Sequence, residues 1–139
     1  MNTAKYIQAL MKFIPSQASI SATAFLIPHL SSRQEIIEMA NEYSPSVMLQ
    51  NNRKEIVEVE YILADLWHLQ RYQVVMKPDR KKLQSLVPFI NKLIVQGKYG
   101  VLYVQDGIVL LQKGTASAPQ ALTDWLKLNS ELMQSLPHN

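Results

Sequence analysis

A chain of 139 residues fits one domain and buries enough surface to hold a core without staples. With 47% hydrophobic and 18% charged residues it is not a disordered sequence, and its lack of cysteine excludes disulfides, thiolate metal sites and cysteine nucleophiles. The formal charge of +3 is mild, and the longest apolar stretch, Ile20 to Leu30, is interrupted by Pro28, well short of the roughly 20 residues that cross a bilayer.

Taken in chain order, Thr3 to Ile14 has the spacing of a first helix, with Tyr6, Leu10 and Phe13 on one side and Pro15 as its stop. Gln8 and Lys12 break the apolar block that a signal peptide would need after Lys5. The chain therefore reads as cytoplasmic. Ser16 to Leu30 fits a helix over Ser19 to Ile27 or a strand. Ser32 and Glu35 have capping-box spacing and predict a helix to about Glu42. Ser44 to Asn52, with Pro45 and the Asn51–Asn52 pair, reads as a loop.

A long helix is expected from Arg53 to Tyr72, with Ile56, Val59, Leu63, Leu66 and Trp67 as its apolar seam, although Val57 to Tyr61 alternates as a strand would. Gln73 to Met76 reads as a short strand. Asp79 to Gln96 is helical in pattern but contains Pro88. A break at Ser85 would place that proline in the tolerated first turn of a second helix. Gly97 supplies the C-cap. Tyr99 to Val104 and Ile108 to Gln112 are β-formers around Asp106–Gly107, which predicts a tight hairpin. Ser117 and Gln120 cap a final helix from Pro119 to Met133.

The expected fold class is α+β: a helix-rich single domain over 1–134 with one antiparallel β-hairpin at about 99–113, and a frayed tail at 135–139. From Pro78 to Lys113 the order is short helix, break, helix, glycine and hairpin. By topological analogy this is similar to the second half of a winged-helix domain, in which the second helix enters the DNA major groove.

Charge gives that analogy its content. Between Lys77 and Lys113 there are seven basic and two acidic residues, a net +5, which leaves −2 for the rest of the chain. Arg80, Lys81, Lys82, Lys92, Lys98 and Lys113 would neutralise phosphates, and Asn91 would read a base edge. The expectation is a non-enzymatic regulatory or accessory protein that binds double-stranded DNA. That protein would act as a homodimer. The rival is a protein-interaction module, an accessory, immunity-type or assembly protein that pairs with a second copy or another protein through the seam Ile56, Val59, Leu63, Leu66 and Trp67. No membrane partner, catalytic residue, metal or cofactor is expected. His29 and His138 stand alone, and Asp65 with His68 supplies only two of the three or four ligands a metal needs. No phosphate-binding glycine loop or nucleophile elbow is present.

Overall fold

The fold is that of a computed structural model that describes residues 3–23, 26, 36–38, 47–50, 53–67 and 77–135. Helix α1 spans Thr3–Met11, α2 Lys77–Val95 and α3 Pro119–Ser135. The strands are β1 Ile20–Ala22, β2 Ile36–Glu38, β3 Met48–Gln50, β4 Ile56–Glu58, β5 Tyr61–Asp65, β6 Tyr99–Gln105 and β7 Ile108–Lys113. Five of them form one mixed sheet in the order β2-β1-β5-β7-β6, and β3 and β4 form a small antiparallel pair. β1 is parallel to both β2 and β5, whereas β5, β7 and β6 run antiparallel in turn.

This corrects the helix-rich, winged-helix-like expectation. The decisive segment is 56–65. Ile56, Val57, Val59 and Ile62 are β-branched and lose side-chain freedom in a helix. All five residues of β5 are buried. A strand covered on both faces reads as a near-continuous apolar run, here Tyr61 to Ala64, and such a run also satisfies a helical stripe. At 36–38 the local helix signal yields to parallel pairing, with Ile20 opposite Ile36. The capping-box residues Ser32 and Glu35 lie outside the described residues, as do 73–76 and the tail beyond 135. Met48–Gln50, expected as loop, is strand. In the ambiguous segment 16–30, residues 20–22 are strand.

The sheet separates two apolar clusters by simple alternation. Tyr61 and Leu63 of β5 join Ile20, Ala22, Ile108 and Leu110 under Ile7, Leu10 and Ile14 of the α1 region. Ile62 and Ala64 join Val101, Val109 and Leu111 under α2 and α3, where Leu86, Val87, Ile90 and Trp125 are buried. The interaction seam expected from sequence is thereby taken apart. Val59, Leu63 and Leu66 are fully buried, Leu63 on the opposite face from Val59 and Leu66, while Ile56 and Trp67 are exposed.

Helix α2 is continuous through Pro88, without the expected break at Ser85. Pro88 is exposed, so the Gln84 carbonyl that loses its intrahelical partner is on the solvent side, where the cost is least. The helix ends as expected at Gly97, whose φ is +74. Lys98 N–H donates to the Leu93 carbonyl and Gly97 N–H to that of Ile94, both at 3.1 Å, a Schellman cap. The hairpin forms at the expected residues, with positive φ at Asp106 and Gly107. In contrast, Ser117 does not close a capping box: its Oγ accepts from Val101 N–H at 2.9 Å. The segment 115–118 lies along β6 so closely that a Cβ on Gly100 would stand 2.1 Å from the Thr115 carbonyl oxygen.

Candidate functional site

The small β3–β4 pair is fastened beside α2 from its inner side. Val47 and Val59 are buried in the core and joined by a backbone hydrogen bond of 2.8 Å. The Tyr99 hydroxyl donates to the Val59 carbonyl at 2.6 Å. Burial pushes the phenol's pKa well above its ordinary value of 10, and the nearby Glu58 carboxylate pushes it further the same way. It therefore stays a donor across the physiological range. Met48 and Glu58, directly opposite in register, share the outer face of the pair.

Between that outer face and α2 lies an open groove of about 610 Å³, within the size range of small-molecule sites. Val47, Met48, Pro88, Phe89 and Leu93 form its apolar lining, and Ser85, Lys92, Gln96, Lys98 and Glu58 its polar part. Ser85, Pro88, Phe89, Lys92 and Gln96 recur at helical spacing along one side of α2. The cap at Gly97 then turns the chain so that Lys98 adds a second cation. Lys92 and Lys98 are exposed, and among the described residues neither has an ion-pair partner. The one carboxylate in the groove, Glu58, is 3.8 Å from the Lys113 ammonium, a partly exposed pair worth no more than ~1 kcal/mol. The local field is thus cationic.

Two of the expected phosphate-binding residues, Lys92 and Lys98, line this groove, and Lys113 touches it only through its pair with Glu58. Asn91 does not. Its Oδ1 accepts from the Trp125 indole N–H at 3.0 Å, and it ties α2 to α3. Arg80, Lys81 and Lys82 fall in the first turns of α2, and their side chains lie outside the described residues. Met48, Phe89 and Ser85 were not among the expected site residues. The signal available for the last two was their helical spacing with Lys92 beside the helix's apolar stripe; both are half-buried.

A second polar feature sits at the carboxyl ends of the parallel strands. Asp65 ends β5 and is buried, and its N–H donates to the buried Thr23 hydroxyl at 3.2 Å just beyond β1. Leu26, following β1, packs on the α1 side of the sheet, whereas β5 leads on to α2 on the other side. Asp65 was considered from sequence as half of a helical pair with His68. It is instead a strand-end residue, and His29, His68 and His138 lie outside the described residues. Among the described residues no group of three or more His, Cys, Asp or Glu could hold a metal ion.

Fold and groove together define a mixed α/β domain with a cationic, apolar-floored cleft and, among the described residues, no helix long and apolar enough to cross a membrane. The chain belongs to the family described as "Predicted membrane protein (DUF2079)", whose model matches residues 1–110. The match takes in α1, α2, β1 to β6 and the first residues of β7. No curated protein and no solved structure matches the chain. Membership of a membrane-protein family overturns two expectations drawn from composition, a cytoplasmic location and a DNA-binding regulator. Both had rested on the absence of a long apolar run and on a basic segment, and neither observation is specific.

Proposed function

We propose that this chain is a binding module of a membrane-family protein, and that its groove takes an anionic amphiphile. The phosphate or carboxylate head would sit between Lys92 and Lys98, and the apolar body against Met48, Phe89 and Leu93. The observation that carries this reading is the pairing of two exposed lysines, without ion-pair partners among the described residues, with an apolar floor in one cleft. Lysine suits such a head as a point charge on a flexible stem whose methylenes cover apolar surface. The chemistry asked of the site is recognition, with no bond made or broken.

Isothermal titration with dodecyl phosphate, kept below its critical micelle concentration, tests the reading. Saturable binding at one site is expected, together with weak or no binding of the uncharged dodecyl maltoside. The double change Lys92→Glu and Lys98→Glu should weaken the phosphate at least tenfold and remove its dependence on salt. No binding by the unaltered protein, or equal binding of both detergents, overturns it.

A further inference from the structure

A membrane family and a set of described helices none of which can span a bilayer are reconciled if the domain meets the membrane from the side. We propose that the rim of the groove is a peripheral docking surface for an anionic phospholipid leaflet; this rests on the groove reading above and names the source of its ligand.

The rim has the composition such contact needs. Met48 is 47%, Ile56 63% and Val95 74% exposed. Met48 lines the groove itself. Ile56 is two residues from Glu58 on β4 and so shares the outer face with Met48 and Glu58. Val95 follows Lys92 by one helical turn on the exposed side of α2, beyond Pro88. Single exposed apolar side chains are ordinary. Three of them around two lysines form the apolar-plus-basic surface that settles at the headgroup boundary. Each lysine near an anionic leaflet strengthens partition about fivefold. Elsewhere among the described residues, Phe13 is exposed just after α1, Trp67 just after β5, and Leu126 and Met133 on α3, where Lys127 is the one basic residue against Asp124 and Glu131.

The absence of cysteine makes the orientation directly measurable. Ile56→Cys, Val95→Cys and, on α1, Gln8→Cys each take one environment-sensitive fluorophore. With mixed phosphatidylcholine–phosphatidylglycerol vesicles, emission at 56 and 95 should shift to the blue while that at 8 stays unchanged. Pure phosphatidylcholine should leave all three unchanged. Lys92→Glu with Lys98→Glu should weaken partition by about thirtyfold or more. No shift at 56 and 95, an equal shift at 8, or a shift indifferent to the two lysines overturns the proposal. So does a dimer that buries this face, seen by light scattering. If dodecyl phosphate binds in solution while the vesicles leave 56 and 95 unshifted, the groove reading stands and the docking surface falls.

Discussion

The two sides of the sheet draw on alternate residues of the same strands, yet they are finished differently. On the α1 side, among the described residues, Leu63 and Leu110 meet α1 and the turn after it, and Ile7, Leu10, Ile14 and Leu26 close over them. On the other side, α2, α3 and the β3–β4 pair share the space. α2 and α3 are joined to each other by the Asn91–Trp125 hydrogen bond, whereas β3–β4 is held from beneath by two valines and the Tyr99 hydroxyl. Among the described residues, the layer of three elements leaves a seam between α2 and β3–β4, and the groove is that seam.

The largest test of this contrast is in the two cores. Leu10→Ala and Trp125→Ala should each cost about 2–5 kcal/mol, read as lowered midpoints in denaturant melts. Leu10→Ala should leave dodecyl phosphate affinity at 25 °C unaltered in the folded protein. Trp125→Ala, which releases Asn91 from its partner, should weaken it as well. Equal effects on affinity would mean that the two sides are not independent.

A smaller effect is expected from Tyr99→Phe, at about 1–2 kcal/mol, because the buried Val59 carbonyl loses its donor. It should also loosen β3–β4, visible as faster amide exchange at Val59. The pH dependence has a definite sign. The folded phenol keeps its proton beyond the ordinary value of 10, so this contribution is full below about pH 10 and is lost as pH rises toward the higher folded value. Alkaline melts of the unaltered protein should fall in that window, and Tyr99→Phe should remove this part of the decline. The smallest change is Lys113→Ala. Its pair with Glu58 is partly exposed, so stability should move by less than ~1 kcal/mol, while the freed carboxylate should weaken binding of the phosphate head several-fold.

These residues also show what could be read from sequence. The hairpin at Asp106–Gly107 and the cap at Gly97 were legible because positive φ is a local demand that short-range chemistry announces. β5 was not, because burial on both faces erases the alternation that marks a strand. β2 was missed because Ser32 and Glu35 speak only for their own neighbourhood, while the pairing of Ile36 with Ile20 is settled elsewhere in the chain. The site divides the same way. Lys92, Lys98 and Lys113 were marked by charge. Met48 gained its place only because β3–β4 folds back beside α2 from some forty residues earlier in the chain. The basic segment supplies two lysines of the groove, whereas the DNA-binding regulator inferred from it is set aside by the family match; a phosphate attracts lysine whatever carries it.

The segment laid along β6 has an effect beyond packing. Val101 sends its N–H to Ser117 Oγ and its carbonyl receives Ala118 N–H, at 2.9 and 3.0 Å. The backbone groups that a foreign strand would use to extend the sheet at that point are already engaged within the chain. A protein working against a membrane is concentrated in two dimensions, where a bare strand edge would recruit its neighbours. On this flank the chain carries its own guard, and Gly100 is the residue small enough to let the guard lie close.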